Sequence, residues 1–269
     1  KEAFGGTCLN WGCIPTKTLI ASAERYHHAA HSEAFGVTAK GVAFDYAAMT
    51  ARKAGIVAKL SGGVRMLLQS NDVELVSGTA RFEGPNRLSV LQADGTTRWL
   101  SAASILIAAG SDSAMPGFLP RDKRVMDSRA FLDLTELPKN LLILGGGVIG
   151  CEFACMAAAL GANVTVVEML EDIVMVLDRD VRRVLRKRME TLGITLLTGA
   201  PLTDIVVQKN KVTGTYKDQN VAGDVLLVAV GRKPNTAALD LARAGVKTDE
   251  RGTIPVDAQG RTNVASVFA

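Results

Sequence analysis

Apolar and polar residues recur along this chain with helical and strand spacings, and the order of the elements that they predict changes near residue 113. Before that point, apolar residues three or four positions apart predict helices at Pro15–His31 and Tyr46–Gln69. Asp94-Gly95 lies between two of the apolar runs that follow and predicts a hairpin. Short apolar runs in this part predict strands at Val73–Val76, Arg87–Leu91, Thr97–Leu100 and Ile105–Ala108.

After residue 113, predicted strands and helices follow one another in turn. The strand Leu141–Leu144 precedes a helix that ends near Leu160, and the strand Asn163–Glu168 precedes a helix at Asp178–Leu192. Strands that alternate with helices are typical of a parallel sheet covered by helices, so we expect an α/β fold. Further strands are predicted at Ile194–Leu197, Asp204–Gln208, Lys211–Tyr216 and Asp224–Val230, and a linker at Ser111–Pro120.

Composition narrows the class of protein. The net charge of +4 carries no long basic block, which argues against a nucleic-acid partner. No apolar run reaches the ~18 residues that a membrane span needs. Four cysteines in 269 residues are too few for a disulfide scaffold and favour a reducing compartment. We therefore expect a soluble cytoplasmic protein, with the mitochondrial matrix as the alternative, because Lys1–Phe4 does not resemble a natural start.

Three glycines after the strand Leu141–Leu144 predict a dinucleotide site. Gly145 permits a tight turn, Gly147 lets a pyrophosphate approach the backbone, and Gly150 allows a helix to pack closely on the strand. The helix N-terminus then offers N–H groups to the pyrophosphate. Glu168 ends the next strand and can accept from a ribose hydroxyl, whereas it would repel a 2′-phosphate. NAD is therefore expected rather than NADP.

A cysteine pair lies in the segment from Gly5 to Lys17. Cys8 and Cys13 can close a disulfide if the backbone brings their Cα atoms within ~7 Å. Pro15 suits a first helical turn, so Cys13 would lie near a helix N-terminus with Lys17 one turn on, and both would favour its thiolate. Cys151 and Cys155 could instead complete a Cys₄ zinc site, although an Ala-rich helix usually buries Cys as a small apolar residue.

The segment Gly5–Lys17 resembles the redox-active motif of the pyridine nucleotide–disulfide oxidoreductase family, which includes lipoamide, glutathione and mercuric reductases. Within the family, the chain resembles the lipoamide branch most, at Leu9, Asn10, Ile14 and Glu168. Weaker resemblance covers nearly the whole chain and is carried by Ile105–Ser111, Val230–Asn235 and Gly260–Val264.

The resemblance implies a role for each matching residue. Cys8 would attack the substrate disulfide, Cys13 would face the flavin, and Lys17 would approach the flavin and pair with Glu152. A buried carboxylate needs such a cation. No metal ligand is expected, and the three clustered histidines suggest a solvated helix end. The cofactor-binding residues implied are Gly6, Thr7, Lys17, Ala80, Ala109, Gly110, Ser111, Gly145, Gly147, Val148, Ile149, Gly150, Glu152, Glu168, Ala200 and Gly231.

The resemblance also implies an architecture of three-layer Rossmann-like FAD- and NAD(P)-binding domains with inserted antiparallel meanders. Residues 1–112 would form a partial FAD-binding domain with the redox disulfide, residues 113–236 the NAD-binding domain, and residues 237–269 a return segment to the first. The FAD-binding domain is expected to be incomplete, because the chain begins after the family's first strand–glycine loop–helix unit and ends before its interface domain. Ala109 also departs from the family, which often has Thr there.

The implied activity is oxidation of a dihydrolipoyl dithiol through Cys8, Cys13 and FAD, with NAD as the final acceptor. The expected partners are a lipoyl-bearing acyltransferase or a small disulfide and, for the parent enzyme, a second copy of the chain. Without the missing segments we expect this chain to bind NAD, to lose tight FAD binding and to be inactive. The alternatives are a glutathione or mercuric reductase-like enzyme and a non-catalytic NAD-binding module.

Overall fold

The structure is a computed structural model that describes residues 3–269. Its contacts divide the chain into two compact units. Among the described residues, unit 1 comprises 3–6, 62–112 and 232–269, and unit 2 comprises 7–61 and 113–231. The boundaries given above for the FAD-binding and NAD-binding domains remain a prediction.

The helices are α1 Gly6–Trp11, α2 Cys13–Ala30, α3 Tyr46–Ser70, α4 Ser128–Leu132, α5 Val148–Ala159 and α6 Arg179–Thr191. The strands are β1 Thr79–Gly84, β2 Arg87–Leu91, β3 Thr97–Ser101, β4 Ile105–Leu106, β5 Ser111–Ser113, β6 Val125–Asp127, β7 Asn140–Leu144, β8 Asn163–Glu168, β9 Thr195–Thr198, β10 Leu202–Gln208, β11 Lys211–Tyr216, β12 Gln219–Gly223, β13 Val225–Val228, β14 Arg232–Pro234 and β15 Val267–Phe268. Short 3₁₀ turns occur at Ser32–Phe35, Ala237–Leu239 and Leu241–Ala244.

Unit 2 contains a parallel sheet with the strand order β6-β13-β7-β8-β9. Alternate residues of its central strand serve opposite faces. Leu141 and Ile143 belong to the core shared with helices α2 and α5, whereas Leu142 and Leu144 belong to the core shared with the antiparallel meander β10–β12. This arrangement of helices, sheet and meander confirms the predicted three-layer α/β fold.

Unit 1 has less regular structure. Its meander β1–β3 is antiparallel, and β4 pairs in parallel with β15. Phe82, Ile105, Leu241 and Val267 lie in a small separate core. Asp94-Gly95 forms the predicted turn between β2 and β3, where Asp94 Oδ1 accepts from the Thr96 N–H at 2.9 Å.

Several sequence predictions for the strands were wrong. Residues 73–77 form no strand, because no described strand offers them backbone partners. The strand begins instead at Thr79. The predicted strand Ile105–Ala108 is confined to two residues, and the predicted linker Ser111–Pro120 begins with β5. The strands β6 and β12 were not predicted, since β6 has only three residues and β12, Gln219–Gly223, has no alternation of apolar and polar residues.

Candidate nucleotide and dithiol site

The segment Gly145–Gly150, called the glycine loop below, joins β7 to α5. Gly145 has φ +110°, and a Cβ there would lie 2.5 Å from the carbonyl oxygen of Ala229. A Cβ on Gly150 would lie 2.0 Å from the carbonyl oxygen of Gly145. Gly147 caps α5, and a Cβ there would meet nothing within 4 Å. Backbone packing thus requires the first and third glycines, while the second leaves open space where a pyrophosphate would approach.

Glu168 ties the end of β8 to the glycine loop. Its carboxylate accepts from the Gly146 N–H at 2.6 Å and from the Leu170 N–H at 2.8 Å. An ionised carboxylate has about four acceptor positions, so two remain for ribose hydroxyls. The same charge disfavours a phosphate group at this position.

A cavity of about 600 Å³ opens beside this loop, within the size range of ligand pockets. It lies at the carboxyl ends of β7, β8 and β13. In α/β sheets ligands bind where the chain order reverses, and here β8 and β13 lie on opposite sides of β7. The lining residues are Pro116, Phe118, Leu144, Gly145, Gly147, Val148, Ile149, Val167, Glu168, Met169, Leu170, Pro201, Leu202, Ala229, Val230 and Gly231.

Sequence reasoning found only part of this lining. Val148, Ile149 and Gly231 were predicted, whereas Ala200 is not a lining residue, although its neighbour Pro201 is. Met169 and Val230 were missed. Each follows the carboxyl end of a parallel strand, and that signal could have found them. Pro116 and Phe118 lie in the predicted linker, where no periodic pattern indicates which side chains turn inward.

The two cysteines of the motif lie side by side in unit 2. Cys8 lies in α1 and Cys13 begins α2, and both thiols are reduced and exposed. Their hydrogen bond is the main cause that raises the pKa of Cys13, followed by burial and the charge of Cys8; a backbone N–H and Lys17 lower it less. The backbone N–H at the helix start and Lys17 thus act in the predicted direction and lower the pKa of Cys13, but in the reduced pair the neighbouring Cys8 thiol, which the sequence argument did not consider, outweighs them. Disulfide formation remains a prediction.

Lys17 and Glu152 meet between helices α2 and α5. The Lys17 Nζ lies 2.5 Å from the Glu152 Oε1. Glu152 retains 28% of its side-chain exposure and Lys17 retains 57%, so the pair is less buried than the sequence argument assumed. The structure brings these residues together, and their role in catalysis remains a prediction.

The other predicted cofactor residues lie mostly in unit 1. Ala80 pairs with Val90 in the β1–β2 ladder, and Gly110, with φ +73°, accepts from the Asn235 N–H through its carbonyl oxygen at 3.0 Å. Arg232 Nε donates to the Ser111 Oγ at 2.8 Å. The remaining predicted residues on this side are Gly6, which begins α1, Thr7, which lies in α1 within unit 2, and Ala109, which follows β4.

The other candidate metal ligands are the histidines and the second cysteine pair. From residue 3 onward, no three His, Cys, Asp or Glu side chains come close enough together to hold a metal ion, so the four cysteines of the zinc alternative are not assembled there. The Cys151 thiol donates to the Gly146 carbonyl at 3.4 Å, and burial raises its pKa to about 12. His31 Nδ1 lies 2.8 Å from the His27 carbonyl oxygen, as at a capped helix end.

Within residues 3–269, no helix is both long enough and apolar enough to cross a membrane.

A family model described as pyridine nucleotide-disulphide oxidoreductase matches residues 2–269. The chain belongs to this family. It is 41% identical over 270 residues to the dihydrolipoyl dehydrogenase of Chlamydia pneumoniae and 37% identical over 273 residues to that of Geobacillus stearothermophilus. In both comparisons the alignment covers 100% of this chain and 58% of the relative, so the chain spans less than two thirds of the relatives' length.

Solved structures agree with this assignment. The structure of LpdA from Mycobacterium tuberculosis superposes with a TM-score of 0.91 at 27% identity, covering 100% of this chain and 59% of that one. The Cu(II) complex of the HOCl-induced flavoprotein disulfide reductase RclA from Escherichia coli superposes with a TM-score of 0.87 at 31% identity, covering 99% and 57% respectively.

Proposed function

We propose that this chain supplies the dithiol and the NAD site of a dihydrolipoyl dehydrogenase. One observation carries the proposal: the adjacent Cys8 and Cys13 thiols belong to the same compact unit as a glycine loop tied to Glu168. Each relative compared above by sequence is named dihydrolipoyl dehydrogenase, which supports the choice of substrate within the family. The partners would be a lipoyl-bearing acyltransferase and a second copy of the chain, and the compartment would be the cytoplasm.

The described residues fit NAD better than they fit FAD. Open space at Gly147 and the adjoining cavity suit the pyrophosphate of NAD. Within residues 3–269, a strand followed by a glycine loop and then directly by a helix occurs once, at β7 and α5. These residues therefore provide one pyrophosphate site at a helix N-terminus. They do not fit a complete FAD, and no step through FAD follows from them. In the whole protein FAD would supply the redox chemistry that links the dithiol to NAD.

The proposed exchange begins with Cys8 and Cys13 as a disulfide. A thiolate of the dihydrolipoyl group attacks the Cys8 Sγ, forms a mixed disulfide and releases Cys13 as a thiolate. The second substrate sulfur, after losing its proton, attacks the substrate sulfur of the mixed disulfide and releases Cys8. The substrate leaves as a cyclic disulfide, and the chain has gained its two electrons. Lys17, whose charge lowers the pKa of Cys13, stabilises the departing thiolate.

The test is NADH production by the whole protein with dihydrolipoamide and NAD⁺. Cys8→Ser and Cys13→Ser should each reduce turnover at least about a thousandfold, as expected when a nucleophile is removed. Cys155→Ser is the matched control and should retain most of the activity. With NADH supplied as the reductant, reduction of glutathione disulfide or mercuric ion faster than reduction of lipoamide would contradict the proposal, as would full activity in Cys8→Ser.

A further inference from the structure

The indole of Trp11 lies beneath a cation. Trp11 is the last residue of α1 and stands between Cys8 and Cys13 in the chain, in the segment that we call the redox loop (residues 8–13). The guanidinium carbon of Arg129 lies 4.2 Å from the centroid of the Trp11 ring, within the ~6 Å range of a cation–π contact. Both residues belong to unit 2.

Arg129 extends from α4, which is fixed at three points. The Asp127 Oδ1 caps the helix by accepting from the Ala130 N–H at 2.9 Å. The fully buried Phe131 packs edge-on against Phe153 of α5, with ring centroids 5.1 Å apart. At the other end, Lys53 of α3 donates to the Leu132 carbonyl at 2.5 Å. The guanidinium thus extends from a short helix with little freedom to move.

The residues of the redox loop, by contrast, are only partly buried or exposed. None of the six residues of α1, all of them described, is buried, and both thiols are exposed. Packing in the core therefore does not set the orientation of α1. A stacked Trp11 provides a contact to the body of unit 2 at the point where the chain turns from α1 into α2.

We propose that Arg129 is a positioning residue, which holds Trp11 and thereby keeps the Cys8 and Cys13 thiols side by side. This inference rests on the proposed redox function of the cysteine pair. Loss of the contact should allow α1 to move and the thiols to separate. The dithiol–disulfide equilibrium then shifts toward the dithiol, because closing the disulfide requires the two sulfurs to be brought together again.

The expected effect is modest. We expect a two- to five-fold change in the equilibrium constant, which corresponds to about 0.5–1 kcal/mol, the range for cation–π contacts at exposed sites. Separated thiols should also change the chemistry of the reduced chain. Without its hydrogen bond to Cys8, Cys13 should form its thiolate at lower pH, so iodoacetamide should modify it faster at neutral pH.

The experiment compares Arg129→Met, which keeps the apolar stem, with Arg129→Lys, which keeps a cation, and with Trp11→Leu. A matched control exists in the chain, because the Arg87 guanidinium carbon lies 4.4 Å from the ring centroid of Trp99 in the β2–β3 hairpin. The Cys8–Cys13 equilibrium is measured in glutathione buffers. Iodoacetamide rates at each cysteine are measured by mass spectrometry.

Arg129→Met and Trp11→Leu should shift the equilibrium two- to five-fold, and the double variant should shift it no further than either alone. Arg129→Lys should lie between Arg129→Met and the unsubstituted chain, and Arg87→Met should change nothing. Additive effects, or an Arg129→Met result equal to that of Arg87→Met, would overturn the proposal. If the unsubstituted chain does not form the disulfide, the proposed redox function fails. An unchanged Cys13 modification rate in Arg129→Met would refute the positioning role separately.

Discussion

The glycine loop and the redox loop belong to the same compact unit and are built in different ways. In the glycine loop, backbone atoms leave no space for a side chain at Gly145 or Gly150, and Glu168 accepts from the Gly146 N–H. In the redox loop, α1 buries no residue, and contacts such as the stacked Trp11 hold it. Steric exclusion thus shapes the first site, whereas side-chain contacts shape the second. Substitutions should therefore affect the two loops by different amounts.

Gly150→Ala should have the largest effect. The added methyl group would lie 2.0 Å from the Gly145 carbonyl oxygen, so the end of β7 and the start of α5 must separate. We expect the free energy of unfolding, measured in urea, to fall by about 3 kcal/mol, and NADH binding to be lost. Gly147→Ala is the control, because its methyl group meets no protein atom within 4 Å. It should fold normally and weaken NADH binding by occupying the approach to the helix. Unchanged stability of Gly150→Ala would show that the loop is not sterically locked.

Glu168→Arg should reverse or narrow the cofactor preference. It removes the acceptor of two backbone N–H groups and places a cation where a 2′-phosphate would lie. Hydrogen bonds to a charged acceptor are worth about 1.5–3 kcal/mol, so NADH affinity should fall at least tenfold, whereas NADPH affinity should fall less or rise. Glu168→Gln, which keeps one acceptor oxygen, should be intermediate. Fluorescence titration measures both ligands, and an unchanged ratio in Glu168→Arg would remove Glu168 from the ribose site.

Cys151 should make the stability of the fold depend on alkaline pH. Burial raises its pKa to about 12, against ~8.5 for an unfolded thiol. The folded chain holds this proton more tightly, so the stabilisation is full below the unfolded pKa and is lost as pH rises toward the folded one, by up to ~1.4 kcal/mol per pH unit. Cys151→Ser keeps a donor for the Gly146 carbonyl and does not ionise in this range. Its free energy of unfolding should therefore fall less steeply above about pH 9. A slope equal to that of the unsubstituted chain would contradict this assignment.

The smallest expected effect concerns the redox loop in its reduced form. The hydrogen bond to Cys8 raises the pKa of Cys13, and Lys17 lowers it. Cys8→Ala should therefore shift the pH midpoint of Cys13 alkylation downward, and Lys17→Gln should shift it upward. Mass spectrometry of the alkylated peptide measures both midpoints. If Cys8→Ala left the midpoint in place, the thiols would not be in contact in solution.

The same contrast explains what the sequence could predict. The parallel strands β7, β8 and β13 and most of the longer helices carry clear apolar patterns, and the glycine spacing reports a steric requirement that lies within a few residues of the chain. Val73–Val76 has an apolar pattern, but its Val73 N–H donates to the Leu68 carbonyl at the end of α3 and no described strand pairs with the segment, so its prediction as a strand failed. The contact between Trp11 and Arg129 joins positions distant in sequence, and no spacing rule indicates it. Phe118 lines the cavity from a segment without periodicity, which only the folded chain reveals.

The most direct test of the central claim is a titration of the unsubstituted chain with NADH and NADPH under identical conditions. Because Glu168 presents two unused acceptor positions and a negative charge beside the glycine loop, NADH should bind at least about tenfold more tightly. Saturable NADH binding with this preference is the result expected of the proposed site. Equal affinity for the two nucleotides, or no binding of either by the folded chain, would contradict it.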